Sequence, residues 1–327
     1  MGILKLLLQI LLIICFPLVA YALYARRYVR RFEHLDPETA APGSFLDIDG
    51  RRIHYVQAGR GDPIVLIHGW NGSTFDMRYT IPELAQRYRV IAIDLPGYGY
   101  SARAQDGDYS VAGLGEIVPR VMDRLRIERA VVLGHSMGGL IAQWLALHYP
   151  ERVERLILVD SATVKEMFAG RNWGLLLRPL LPLLAPIALN RGAVRRGLRS
   201  AVHDPACVTP EAIEGRLRTL QVKGHLRAQA KQLSDRRKDP EFDPGQIRQP
   251  ALLLWGEHDR WVKLSAGEEL ARAIPNARLV TIHGAGHLPL EEQAELCNRE
   301  LLSFLDAPAP AAAPPPIAQA ATLETAG

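Results

Sequence analysis

The stretch Gly134-His135-Ser136-Met137-Gly138-Gly139 decides how this chain is read. It follows the apolar, β-branched run Ala130-Val131-Val132-Leu133 and precedes the helix-like run Leu140-Ile141-Ala142-Gln143-Trp144-Leu145-Ala146. Strand, tight turn and helix around G-x-S-x-G are the context of a nucleophile elbow. Such a turn strains the serine backbone, and Gly134, Gly138 and Gly139 remove side chains that would clash there. Ser136 Oγ is then expected at the carboxyl edge of a sheet, at the N-terminus of a helix. A Gly/Ser loop is also an ordinary turn, so the rest of the chain has to decide.

Outward from the elbow, Ile64-Val65-Leu66-Ile67, Val90-Ile91-Ala92-Ile93, Leu156-Ile157-Leu158-Val159 and Ala251-Leu252-Leu253-Leu254-Trp255 are short apolar runs. Runs of this kind suit strands buried on both faces of a parallel sheet. Residues 277–282 give a last strand, and 81–88, 111–125, 264–273 and 291–305 read as helices. Pro119 should bend or interrupt the second of these. Phe45-Leu46-Asp47-Ile48 and Arg52-Ile53-His54-Tyr55-Val56, joined at Asp49-Gly50, read as a hairpin. Strands alternating with helices predict a mostly parallel sheet with helices on both faces. Such sheets bind ligands at the carboxyl ends of their strands. His68, Asp94, Ser136, Asp160, Asp259 and His287 all fall there.

Serine is a weak nucleophile and needs a base oriented by a third group. His287, in the flexible loop Gly284-Ala285-Gly286-His287-Leu288-Pro289, is the candidate base. His283 lies nearer the strand and is expected to be structural. Asp259, in Gly256-Glu257-His258-Asp259, is the candidate orienter. The chain order Ser136, Asp259, His287 is the one this kind of sheet produces. Two backbone donors must face the developing oxyanion, and the N–H groups of Met137 and Trp70 are the candidates. His68 is expected to be a structural hydrogen-bonder.

The 327 residues suffice for one large α/β domain with additions. A net charge of +4 is too small to argue for nucleic acid as a partner. Cys15, Cys207 and Cys297 lie too far apart for a disulfide framework or a metal spacing. No metal and no organic cofactor is implied.

The N-terminus stands apart. Across 6–25 only Gln9 is strongly polar, and about 20 helical residues span roughly 30 Å, the hydrocarbon thickness of a bilayer. An uncleaved transmembrane anchor over 3–25 competes with a signal peptide cleaved after Ala20-Tyr21-Ala22. The length of the run favours the anchor. Arg26, Arg27, Arg30 and Arg31 after it place the catalytic body on the cytoplasmic side of a membrane. Residues 26–43 read as a linker, 44–161 and 248–306 as the core, and 307–327 as a disordered Pro/Ala-rich tail. The interval 162–247 breaks the strand–helix rhythm and reads as a helical cap or lid. It holds 15 Lys and Arg against 8 Asp and Glu, which suits either a lipid-facing surface or a solvated basic face.

Taken together, His68-Gly69-Trp70, Asp94-Leu95-Pro96-Gly97-Tyr98-Gly99-Tyr100-Ser101, the elbow, Gly256-Glu257-His258-Asp259 and Gly286-His287 resemble the α/β-hydrolase family over about residues 45–305. The resemblance implies an eight-stranded sheet, a cap after the sixth strand and an acyl-enzyme mechanism. It makes Asp94 a structural support beside the site and Asp160 an alternative acid. Serine at position 136 argues against the dehalogenases and epoxide hydrolases of the family, which resemblance would give an aspartate there. The expected function is a serine hydrolase of apolar or lipid-like carboxylic esters, of monoacylglycerol type. The partners expected with it are a small apolar ester and membrane lipid, the latter through the N-terminal helix and the basic cap. Two alternatives stand beside it. One is a carbon–carbon bond hydrolase of ring-cleavage products, although Trp70-Asn71-Gly72-Ser73 replaces the Gly-Pro-Gly stretch such enzymes often show. The other is a non-catalytic, membrane-anchored binding module.

Overall fold

The computed structural model describes residues 5, 15–165, 178–235, 238, 239 and 241–308, and the backbone alone of 2–4 and 6–14. Its strands are β1 (Ser44–Ile48), β2 (Arg51–Ala58), β3 (Pro63–Ile67), β4 (Arg89–Ile93), β5 (Ala130–His135), β6 (Val153–Val159), β7 (Ala251–Gly256) and β8 (Ala277–Ile282). They form one sheet in the order β1-β2-β4-β3-β5-β6-β7-β8. Only the β1–β2 and β2–β4 pairings are antiparallel. The hairpin turns at Asp49 and Gly50, whose φ values of 51° and 75° give the twist that matches paired strands.

Strands β3 to β7 carry mainly apolar residues because both faces of the sheet are covered there. Ile64 and Leu66 pack with Leu133, Leu252 and Leu301 on one face. Val65 and Ile67 pack with Val132, Leu140 and Leu253 on the other. The chain winds outward from β3 in both directions, to β4 on one side and β5 on the other. That reversal opens a crevice at the carboxyl ends of β3 and β5, where His68-Gly69-Trp70 and Ser136 follow.

Pro119 acts as expected, one turn early. Helix Val111–Gly115 ends and Ile117–Arg124 begins around Glu116. Proline has no N–H for the carbonyl four residues back, which is that of Gly115.

Between β6 and β7, where the cap is expected, lie helices Leu181–Ala188, Arg191–Ala201, Pro210–Leu220 and His225–Asp235. The leucines at 175–177 and the tail from 309 onward lie outside the described residues.

The membrane localisation needs correction. Among the described residues no helix is long and apolar enough to cross a membrane. The N-terminal helix spans Gly2–Phe32, passing the expected boundary at 25 and running on through Arg26, Arg27, Arg30 and Arg31. One face of its last three turns has a protein partner, while Leu18, Val19 and Leu23 are exposed. Tyr28 and Phe32 pack with Leu181, Ala185, Leu189 and Leu226 of the insertion, and Ala25 is fully buried. Tyr21 and Tyr28 donate to the carbonyls of Leu183 and Leu189 at 2.8 and 2.6 Å. Glu33 then accepts from the Gly224 and Leu226 amides at 2.9 and 2.7 Å. The expected cytoplasmic-facing placement rested on such a span, which no described helix supplies.

Candidate active site

Ser136 stands between the end of β5 and helix Met137–His148 with φ 53° and ψ −119°. This is a costly conformation for a residue with a Cβ, and it persists because the surroundings fix it. The Ser136 amide donates to the Val159 carbonyl at 2.9 Å, and its own carbonyl accepts from Ala162 at 3.0 Å. A Cβ on Gly134 would run into the Gly138 carbonyl, and one on Gly138 into those of Ile67 and His68. The glycines of the elbow are therefore set by backbone contact.

The three residues named from sequence meet here. Ser136 Oγ lies 3.0 Å from His287 Nε2, and His287 Nδ1–H donates to Asp259 Oδ2 at 2.7 Å. The other Asp259 oxygen accepts from the amides of Trp261 and Val262 at 2.7 and 3.0 Å, which fixes the carboxylate plane. His287 and Asp259 are both buried. In that low-dielectric setting the carboxylate can stabilise an imidazolium formed on His287. The backbone of His287 is held on both sides. Its N–H donates to the Ala201 carbonyl at 2.7 Å, and its carbonyl accepts from His135 Nε2 at 2.8 Å. Burial and the neighbouring His287 push His135 down to about 3, so that ring is a neutral donor.

Met137 and Trp70 border a cavity of about 380 Å³ together with Ser136 and His287. Met137 opens its helix, so its N–H belongs to the group without intrahelical partners. The loop after β3 approaches Ser136 closely: a Cβ on Gly69 would stand 3.0 Å from that of Ser136. His68 holds this loop, donating from Nδ1 to the Gly69 carbonyl at 2.7 Å and accepting the Leu95 amide on Nε2 at 3.1 Å. Asp94 supports it further, accepting the Thr74 and Tyr100 amides at 2.6 and 2.8 Å and the His54 ring at 2.7 Å. His283, expected to be structural, is exposed and pairs with Glu257.

Three features escape sequence reading, the first being the protonation of Asp160, a residue already named as an alternative acid. Asp160 is buried against the site and accepts the Gly256 amide at 2.8 Å. Burial first, and then the charge of Asp259, hold its carboxyl well above the usual range. A group held protonated is a poor alternative acid. Second, Arg216 of the insertion borders the cavity and pairs with Asp76 at 3.0 Å and with Glu291, which also takes Arg78 at 2.7 Å. These partners lie far apart in sequence and leave no local spacing to find. The third is Glu292, whose hydrogen-bond partners among the described residues are backbone amides. His135, Asp160 and His287 bring ligand-type atoms within 4.8 Å, yet both ring nitrogens of His287 and His135 Nε2 serve the hydrogen bonds above.

Residues 62–201 and 217–294 match the family model for the alpha/beta hydrolase fold. The chain is similar to an uncharacterized hydrolase, YugF, of Bacillus subtilis, at 31% identity over 82% of this chain and 99% of that one. It is similar to a 2-hydroxy-6-oxononadienedioate/2-hydroxy-6-oxononatrienedioate hydrolase of Paraburkholderia phymatum, at 34% identity over 78% of this chain and 91% of that one. Among solved structures it is similar to a membrane phospholipase A described as a bacterial virulence factor. That match has a TM-score of 0.68 and 26% identity, over 94% of this chain and 98% of that one. With the strand order and the elbow, these matches place the chain in the α/β-hydrolase family, as a hydrolase.

Proposed function

We propose that this hydrolase cleaves a carbon–carbon bond beside a ketone, with Ser136 as nucleophile, His287 as base and then acid, and Asp259 as orienter. The Met137 and Trp70 amides serve as oxyanion donors. The observation that carries the reading is the continuous Ser136–His287–Asp259 hydrogen-bond chain at the wall of the cavity. The choice of bond comes from the Paraburkholderia relative. A compound of the name it carries has a ketone and no ester, so hydrolysis must break the bond between the ketone carbon and the diene.

In this mechanism Ser136 Oγ gives its proton to His287 as it bonds to the ketone carbon. The negative oxygen forms against the two amides. The 2-hydroxydiene must first ketonise, its enol proton moving to the carbon beside the ketone. Collapse of the oxyanion then breaks the carbon–carbon bond, and the electron pair is delocalised through the enone as a dienolate, which takes the proton back from His287. A water molecule, deprotonated by His287, then attacks the acyl-Ser136 ester and releases the acid.

Ester hydrolysis by the same residues is the second reading, favoured by the cavity wall. That wall is lined largely by side chains such as Val194, Leu198, Leu220 and Leu288, and its arginine, Arg216, is already neutralised by Asp76 and Glu291. An uncharged apolar ester of monoacylglycerol type suits such a lining better than a dicarboxylate does. The similarity to a phospholipase A points the same way.

One experiment separates them. The purified chain and its Ser136→Ala variant are given 2-hydroxy-6-oxo-6-phenylhexa-2,4-dienoate and a series of p-nitrophenyl esters from acetate to palmitate. Ser136-dependent loss of the dienoate supports the first reading, and ester turnover alone supports the second. No turnover and no fluorophosphonate labelling of Ser136 would sink both and favour a binding module.

A further inference from the structure

We propose that Glu292 is a positioning residue that ties the His287 loop to the insertion, so that His287 faces Ser136 only while the corner at 201–204 is docked. The proposal rests on the reading of His287 as the base.

The loop that carries His287 has little stiffness of its own. Gly284 lies at φ 68°, and Gly286 packs so closely that a Cβ there would run into the Ala201 carbonyl and meet the His203 amide at 2.7 Å. Two glycines in so short a stretch leave many conformations open, so the native one has to be held from outside.

Glu292 supplies that hold with both oxygens. Oε1 accepts the amides on either side of His287, from Gly286 at 2.8 Å and Leu288 at 3.4 Å. Oε2 accepts two amides of the insertion corner, His203 at 2.5 Å and Asp204 at 3.2 Å. One carboxylate therefore joins the base loop to the segment that follows helix Arg191–Ala201. All four partners are backbone N–H groups. Hydrogen bonds to a carboxylate are roughly twice as strong as those between neutral groups. The His287-to-Ala201 bond at 2.7 Å runs beside this bridge and shares its register.

Glu292 is not among the described residues that line the cavity, so it acts through His287 and not on substrate. Its loss should slow the chemistry while leaving substrate affinity alone. A side chain that merely adds stability would lower the melting temperature and leave the rate per folded molecule unchanged.

The test measures the rate constant for fluorophosphonate labelling of Ser136 in the full chain, per folded molecule, with thermal midpoints alongside. Glu292→Gln keeps one accepting oxygen and should label about ten-fold more slowly. Glu292→Ala keeps none and should label about a hundred-fold more slowly, the scale of a misplaced catalytic group. On any substrate that is turned over, kcat should fall and KM should hold. Folded variants that label at the wild-type rate would overturn the proposal and leave the reading of His287 intact. A wild-type chain that does not label would overturn that reading, and this proposal with it. Should the alanine variant fail to fold, the near-isosteric glutamine variant decides alone, because its rate is either lowered or unchanged.

Discussion

The backbone N–H of His287 donates to the carbonyl oxygen of Ala201 at 2.7 Å. Ala201 ends helix Arg191–Ala201, so a carbonyl left without an intrahelical partner is satisfied by the residue whose ring faces Ser136. The insertion thus helps build the site as well as cover it. Gly286 lies in the same contact and admits no Cβ without displacing the corner. Gly286→Ala should lower kcat by about 10²-fold through displacement of His287, with the circular dichroism spectrum retained. Wild-type kcat in that variant would show that the contact has slack.

Ser136→Ala should remove about 10⁴-fold or more of the turnover, whichever substrate class is confirmed. Asp259→Asn should cost a similar factor. Its two oxygens hold the His287 ring and the Trp261 and Val262 amides, and an amide in that position favours the wrong ring tautomer. Steady-state kinetics on the substrate identified by the panel would check both. An Asp259→Asn enzyme within ten-fold of wild type would mean that another group orients His287.

Asp160 also brings a carboxyl within 4.8 Å of His287, and its environment argues against that role. Its pKa is raised above the ordinary 3.8 by burial and by Asp259. The sign follows from linkage. A folded-state pKa above the unfolded one gives stability that is present below the unfolded value and lost as pH rises through the folded one. Asp160→Asn mimics the protonated form and should keep activity within about ten-fold, the range left to a group outside the proton path. Its urea midpoint should gain on that of the wild type as pH rises. A midpoint difference that stays flat with pH would mean that Asp160 ionises as freely as in the unfolded chain.

The elbow, the sheet and the Ser136–His287–Asp259 chain were legible because each rests on local pattern. Ile64-Val65-Leu66-Ile67 had to be a buried strand, and Gly134 and Gly138 had to be glycine because backbone crowds them. The N-terminal helix was misread because the apolar run 6–25 drew the boundary at 25, whereas the contacts with the protein lie beyond it. Tyr28, Val29 and Phe32 pack with Leu181, Leu189 and Leu226, while Phe16, Leu18, Val19 and Leu23 within the run are exposed. Glu292 was invisible because its partners are backbone amides, which every residue type but proline offers. Arg216 read as part of a basic surface, yet it is paired with acids from distant elements.

His54 and Asp94 form a fully buried pair that braces the loop after β3, and the pair makes stability depend on pH. Burial pushes His54 down, but the hydrogen bond and charge of Asp94 outweigh it and leave the imidazole above its ordinary 6.5. Burial pushes Asp94 up, and the hydrogen bond and charge of His54 leave it below its ordinary 3.8. The His54 contribution is complete below 6.5 and lost as pH rises through the raised value, and the Asp94 contribution is lost as pH falls below 3.8. The stability gap between wild type and His54→Gln, from urea melts, should therefore be wide at mildly acidic pH and narrow in alkali. A gap that widens in alkali would reverse the assignment.

The attachment of the N-terminal helix can be tested at Ala25, which is fully buried where the helix meets the insertion. Its neighbours Tyr21 and Tyr28 donate to carbonyls at both ends of helix Leu181–Ala188, so the two helices are joined above and below the contact. A large side chain at 25 cannot be housed without parting them. Ala25→Trp should cost about 1–3 kcal/mol, the usual range for overpacking. Tyr28→Phe removes one hydrogen bond and should cost about 1 kcal/mol. Both changes should lower the thermal midpoint and speed tryptic cleavage among Arg26, Arg27, Arg30 and Arg31, which the docked helix otherwise presents as regular structure. Because the contact lies against helix Leu181–Ala188 and not against the 201–204 corner, the rate of Ser136 labelling should change little. An unchanged midpoint and digestion pattern in Ala25→Trp would mean that the helix does not rest on the insertion in solution.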